Sequence, residues 1–485
     1  MNSEQSNPSE RDERLKQAID AVAALHDHVP HCLVPIFTMG ASDEPILLYE
    51  GDLTLEVGEE TWSGAGSVSW KWVPVQGVEI LIPLIKGLEE QSQILRGLYS
   101  PEPFTVQIAT VESAISTRLI GSAYGATSEV PDGRVSLYKV RMRPMSTVVQ
   151  GNPSALAHSA RVHIVNFANC HGSTTRRVES HRTVFQHDRL ELAMGDWRVI
   201  VDGVPHLDQL ERQLDATRGA AITHTAQLAR HDGQAFSVNE CLEALDVFRQ
   251  FLLILRASHA DAILPVGVDA KGDEVWRLWY SPLHGTWKRS ISWFPIFQPD
   301  IPATSIALTH FDRLMRDPRW QPSVRRIIQW YCMANMLATD VAGSIVLTLT
   351  CLEMLAWLIC IEDRHLVGRT RFGNMGATDR IRFLLRAMGV DPSISVSRDR
   401  ERSWSMLGFV DGPDAFVKIR NRCVHPKIGG AHSIENVDMS IVIDIWALGL
   451  WYCDLALLFL LHYEGNYRRR FIDYQWDNFP VPWAM

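Results

Sequence analysis

Two long apolar runs, residues 341–361 and 439–463, do most to limit how this chain can fold. Each is long enough to cross a bilayer as a helix, so each either spans one or is buried in a protein core. The first carries Glu353, and the second carries Asp444 and Asp454. A carboxylate at such a central position is costly in hydrocarbon, and neither run has basic residues on one flank only. Both are therefore expected to be buried bundle helices, with no membrane partner.

Upstream of a Pro-rich passage, residues 295–302, the hydrophobic period is that of strands. Leu53, Leu55 and Val57 alternate with Thr54 and Glu56, and Val68, Trp70 and Trp72 alternate with Ser69 and Lys71. The pattern returns at Phe104, Val106 and Ile108 and at Tyr138, Val140 and Met142. One-face alternation of this kind predicts antiparallel sheet of the sandwich or barrel type. Further strands are expected at 161–167, 189–193 and 197–201, with helices at 10–28 and 206–218. Gly64-Ala65-Gly66 opens no helix, so it lacks the setting of a phosphate loop and is read as a turn. Ser237 and Glu240 have the spacing of a capping box and start a helix striped by Leu242, Leu245, Phe248, Leu252 and Leu255. A short β stretch at 263–294 holds Trp276, Trp279, Tyr280, Trp287 and Trp293, read as core packing before ligand surface.

Beyond the prolines the period becomes helical. Val324, Ile327, Ile328, Tyr331 and Ala334 form one stripe, Ile381, Leu384, Leu385 and Met388 another, and Phe416, Ile419 and Cys423 a third behind Pro413. With the two apolar runs, these specify a compact bundle. The fold class expected is α+β multidomain, a β-rich sandwich or barrel-like N-terminal region followed by a C-terminal all-α helical bundle. Its divisions are residues 1–235 (β-rich sensor), 236–300 (a helix and short β extension) and 301–485 (the bundle).

Eight cysteines occur without a CxxC pair, which supports neither a zinc cluster nor a disulfide framework. No apolar leader is present in residues 1–14, so a cytoplasmic location is expected. A net charge of −9 excludes a protein that coats nucleic acid with its whole surface. Residues 364–427 nevertheless hold 13 Lys or Arg against 6 Asp or Glu, a local excess suited to an anion, with Arg468, Arg469 and Arg470 as additional candidates.

Within that basic region residues 420–426 read Arg-Asn-Arg-Cys-Val-His-Pro. At 100° per residue, Ile419, Arg420 and Cys423 fall within roughly 60° of the core-facing Phe416. Asn421 and His425 lie one turn apart on the other side. Pro426 disfavours helical geometry at His425, so the imidazole is expected at a frayed, exposed helix end. This set suits metal-free cleavage of RNA with no cofactor. Histidine can take the ribose 2′-hydroxyl proton or supply one to the leaving 5′-oxygen. Arginine can hold the phosphate as charge builds on it, and asparagine can orient the imidazole. One histidine does half of this proton traffic, so a second copy across a two-fold axis is expected to supply the other. Similar Arg and His spacings at Arg176 and His181, Arg182 and His187, and Arg218 and His224 lack the asparagine, and the first two lie in a β-rich stretch. A Cys170-His171 hydrolase is a weaker alternative, because adjacent strand residues face opposite ways.

The combination resembles the HEPN superfamily of ribonucleases, with their Arg-Asn-x-x-x-His motif at a helix end in a small α-bundle. The resemblance covers residues 302–467 and includes Leu352-Glu353-Met354-Leu355. The β-rich region before the bundle, with Thr223-His224-Thr225, Asp232-Gly233 and Phe236-Ser237, resembles the ApeA-like anti-phage HEPN proteins of bacteria. The resemblance implies a homo-oligomer, at least a dimer through the bundle, that cuts tRNA or single-stranded RNA. It also implies a phage-derived trigger acting on the N-terminal region. Arg420, Asn421 and His425 are carried over as the catalytic set. Arg422 and Lys427 are candidate substrate-binding residues. Glu353 is either a helper in substrate binding or a buried acid paired with an arginine such as Arg420 or Arg422. The alternative is a non-catalytic dimerisation or nucleotide- or RNA-binding module, with the β region doing the recognising.

Overall fold

The computed structural model describes residues 28–57, 60–72, 76–85, 104–108, 117–129, 137–144, 147–179, 182–279, 285–336, 340–393, 404, 407–425, 434–470 and 478–484. The helix expected at 10–28 falls outside them.

Six strands close an antiparallel barrel: β1 (Ile46–Val57), β2 (Glu60–Lys71), β3 (Gly77–Ile85), β4 (Phe104–Ile108), β5 (Thr117–Glu129) and β6 (Leu137–Pro144), in the order β1-β2-β3-β6-β5-β4. Gly64-Ala65-Gly66, expected to be a turn, lies inside β2, where Gly64 pairs with Leu53 and Gly66 with Gly51. The reason is a close approach of the two neighbouring strands: a Cβ at Gly66 would stand 2.6 Å from both Leu53 Cδ1 on β1 and the Leu81 carbonyl oxygen on β3. Glycine here admits a neighbour and does not break a strand.

Eight further strands form an open antiparallel sheet. They are β7 (Val148–Gly151), β8 (Ser159–Val165), β9 (Ser173–Glu179), β10 (Arg182–Met194), β11 (Trp197–Gly203), β12 (Ile222–Arg230), β13 (Asp261–Val268) and β14 (Glu274–Trp279), ordered β7-β14-β13-β8-β12-β11-β10-β9. Two helices are inserted in it, α1 (Leu207–Thr217) and α2 (Val238–Arg256). Ser237 caps α2 in the expected box: its Oγ accepts from the Glu240 N–H at 3.3 Å and the Glu240 carboxylate accepts from the Ser237 N–H at 2.8 Å. The sheet runs on both sides of residue 235, so no break in architecture occurs there.

The middle of the sheet is buried on both faces, while β9 and the start of β10 are mostly half-buried or exposed. Val162, Ile164, Ala226, Leu228 and Ala262 share one core with α2 and the C-terminal helices, while Val165, Ile222, Ile263 and Val266 pack with Trp70, Val78 and Ile80 of the barrel. Trp276, Trp279 and Trp293 are fully buried, as core packing predicts.

The C-terminal region is helical: α3 (Ile301–Arg316), α4 (Gln321–Met336), α5 (Val341–Trp357), α6 (Arg369–Gly373), α7 (Ala377–Ala387), α8 (Gly412–Val424) and α9 (Met439–Leu460). The last two strands, β15 (Asn466–Arg468) and β16 (Asn478–Pro480), pair with each other. Pro302, taken with the Pro-rich boundary, is the first-turn proline of α3, whose Asp300 cap accepts from the Ala303 N–H. After Trp357 the α5 helix widens into a π-helix, Leu358–Asp363. By length and composition Val341–Asp363 and Met439–Leu460 could each cross a membrane, yet 67% of each apolar window is buried against the rest of the chain. Asp454 shows why α9 suits a protein core. Fully buried, it accepts from Tyr331 Oη at 2.5 Å and from Arg470 Nε and Nη2 at 2.5 and 2.9 Å.

Candidate active site at the end of helix α8

Helix α8 is fixed at its start by Asp411. This residue accepts from the Asp414 N–H at 2.9 Å and, through its other oxygen, from Arg382 Nε of α7 at 2.6 Å. Pro413 sits in the first turn. Ala415, Phe416 and Ile419 are buried, with Phe416 lying where a side chain on Gly449 of α9 would be, so the two helices are in close contact. Burial follows the expected wheel: Arg420 and Cys423 are half-buried, and Asn421 and His425 are exposed.

At the other end, His425 leaves the helical region with φ −124° and ψ 65°, while its N–H still donates to the Asn421 carbonyl at 3.0 Å. The His425 backbone is thus held at the helix terminus, one turn from Asn421. Arg420 Nη1 donates to Asn421 Oδ1 at 3.2 Å, and Arg420 Nε is buried without a hydrogen-bond partner among the described residues. Burial pushes the Cys423 thiol pKa up, with Asp340 adding to the effect and Arg420 opposing it. That thiol is no ready nucleophile. Arg422 is half-buried in the last turn of α8, and Lys427 lies outside the described residues.

Among the described residues Glu353 is paired with neither Arg420 nor Arg422. Helix α8 packs against α5, whose cap Asp340 adds to the upward shift of the Cys423 thiol. Glu353 lies twelve residues along α5 from Val341, roughly 18 Å by helical rise. Its partner is Arg380 of α7, whose Nη1 donates to Glu353 Oε1 at 3.0 Å. It is half-buried and lines a cavity of about 790 Å³ with Trp320, Trp330, Trp357, Glu362 and His365. Nothing in the sequence near Glu353 announced either Arg380 or this cavity, because both meet it from separate helices.

The Arg468-Arg469-Arg470 triplet is divided in the same way. Arg470 is consumed by Asp454 and by Asn335, whose Oδ1 accepts from Nη1 at 2.9 Å. Arg469 lies over the Trp451 and Phe479 rings, 6.0 and 4.7 Å from their centroids. Arg468 alone opens into a cavity. Cys170 is fully buried, and burial pushes its thiol far above the usual range, which removes the Cys170-His171 alternative.

Residues 317–478 match the model of the YopA C-terminal domain, and residues 152–290 match that of the YopA central domain. Both stretches are similar to YopA domains. A curated relative, the SPbeta prophage-derived uncharacterized protein YopA of Bacillus subtilis strain 168, is 25% identical over 437 residues, 88% of this chain and 92% of the relative. No solved structure matches the chain. The α8 site lies in the stretch similar to the YopA C-terminal domain, and α1, α2 and every strand of the large sheet except β7 lie in that similar to the central domain.

Proposed function

We propose that the chain is a metal-independent endoribonuclease of HEPN type, with Arg420, Asn421 and His425 as its catalytic residues. The observation that carries this reading is the end of α8. There an exposed imidazole stands one turn from an exposed amide, and that amide holds a half-buried guanidinium. In the reaction the ribose 2′-oxygen attacks phosphorus and loses its proton to one imidazole. The 5′-oxygen leaves with a proton from a second imidazole, giving a 2′,3′-cyclic phosphate and a 5′-hydroxyl. The guanidinium neutralises the charge that gathers on the phosphoryl oxygens. Since each chain brings one His425, two copies of the bundle face each other in the active form, and the RNA lies between them.

The prophage origin in the name of the B. subtilis relative fits a role in conflict between phage and bacterium. In this reading the β-rich half senses a phage-derived trigger or restrains the nuclease, and the chain acts in the cytoplasm on tRNA or single-stranded RNA. A second reading, a non-catalytic dimerisation or RNA-binding module, is favoured by one observation: the cavities of about 790 and 690 Å³ are lined by other residues, not by Arg420, Asn421 or His425. Incubating labelled tRNA and single-stranded RNA with the purified chain and a chelator separates the two. Cleavage that is lost in His425→Ala supports the nuclease. Binding without cleavage, with infected-cell extract as well as without it, supports the module.

A further inference from the structure

A cavity of about 690 Å³ opens where α1, the end of α2, the loop through residues 287–297 and β15 meet. It lies on the seam between the stretches similar to the central and C-terminal YopA domains. Arg256, in the last turn of α2, forms part of its floor and is only 8% exposed. Its guanidinium lies over the Trp287 ring at 4.4 Å from the centroid, and Nη2 donates to the Lys288 carbonyl at 3.0 Å. Nε of Arg256 is buried with no hydrogen-bond partner among the described residues. Arg468 enters from the C-terminal side, half-buried, with no ion-pair partner among the described residues. Burial, and then the neighbouring Arg470, hold its pKa below the ordinary value.

The acids that line the cavity are already engaged. Asp215 accepts from Trp287 Nε1 at 2.9 Å and from Arg289 Nε at 2.8 Å, Asp208 from Asn169 Nδ2 at 2.9 Å, and Glu211 from the Asn169 N–H at 2.6 Å. Glu211 and Asp215 act on Arg256 through their charge without a hydrogen bond to it, so unmet hydrogen-bonding capacity lies with the arginines and is matched by an acceptor carrying negative charge. The volume is that of a small-molecule site and far exceeds a bare phosphate. Ile296 and Phe297 line it and offer an apolar surface.

We propose that this cavity binds a phosphorylated small molecule of nucleotide size, its phosphate held by Arg256 and Arg468 and its ring against Ile296 and Phe297. Because both halves of the chain line the site, occupancy ties the sheet to the helical region.

Isothermal titration of the full chain with inorganic phosphate, pyrophosphate, AMP and ADP tests this, with citrate as a carboxylate control. Saturable binding of the nucleotides is expected, weakened tenfold or more by Arg468→Ala and unchanged by Arg198→Ala at an exposed position of β11. Arg256→Met is expected to abolish it; where that variant does not fold, Arg468→Ala decides. Absence of saturable binding by all four phosphate probes, binding indifferent to Arg468→Ala, or citrate binding as tightly as the nucleotides would overturn the proposal.

Discussion

Buried in β8 of the central sheet, His163 accepts the N–H groups of Ile36 and Phe37 on Nε2 at 3.1 and 3.0 Å, while Nδ1 faces the Leu264 carbonyl at 3.3 Å. The proton is thus assigned to Nδ1. Burial lowers its pKa to about 4, and that of His224 to about 3. A depressed folded value means that the contribution to stability is present above the unfolded pKa near 6.5 and is lost as pH falls towards 4. From pH 7 to pH 5 each buried histidine therefore removes about 2 kcal/mol. Asp188 acts in the opposite sense: burial raises its pKa to about 6, so its contribution is present below the usual carboxylate range and is lost as pH rises through 6. Denaturant titrations of the chain and of His163→Gln at the two pH values isolate the first effect. The variant is expected to lose about 2 kcal/mol less on acidification; equal losses would show that His163 is not buried as a neutral imidazole. At the same scale, exposed His425 is separable from folding. His425→Ala is expected to lower RNA cleavage about 100-fold or more while leaving the unfolding midpoint unchanged.

At the scale of elements, α8 is held by packing against α9 and by a cap clamped to α7. Gly449→Ala would drive a methyl into Phe416, and an over-packed contact of this kind costs about 1–3 kcal/mol. The expected result is a lower unfolding midpoint together with weaker cleavage, because α8 must move; full activity at reduced stability would detach the site from this packing. Arg470→Met strands the Asp454 carboxylate inside α9 and is expected to cost about 3–5 kcal/mol, measured by denaturant unfolding. These elements also show what could be read from the chain. The wheel that buries Phe416 and Ile419 and exposes Asn421 and His425 is set by local periodicity and by Pro413, so it was legible. The glycines of β2 and the Glu353 partner were not, because Leu53, Leu81 and Arg380 reach them from distant positions. The widening of α5 into a π-helix is equally silent in a pattern of 3.6-residue period.

For the whole molecule, one apolar core joins the large sheet, α2 and the C-terminal helices, and a second joins the sheet to the barrel. Under the proposed function, a trigger acting on the barrel or the sheet would have to reach α8 through these two cores. The proposed function requires in addition that two chains share one reaction. Activity is then expected to rise more steeply than linearly with protein concentration until the dimer is saturated, as read from initial rates over a dilution series. A strictly linear dependence over a range where sedimentation shows dissociation would contradict a shared site. The most direct measurement is cleavage of end-labelled RNA by the chain, His425→Ala and Arg420→Ala in the presence of a chelator, with analysis of the new termini. The account predicts 2′,3′-cyclic phosphate and 5′-hydroxyl ends from the native chain and none from either variant. Intact RNA in every lane, with and without infected-cell extract, or cleavage that survives both substitutions, would contradict it.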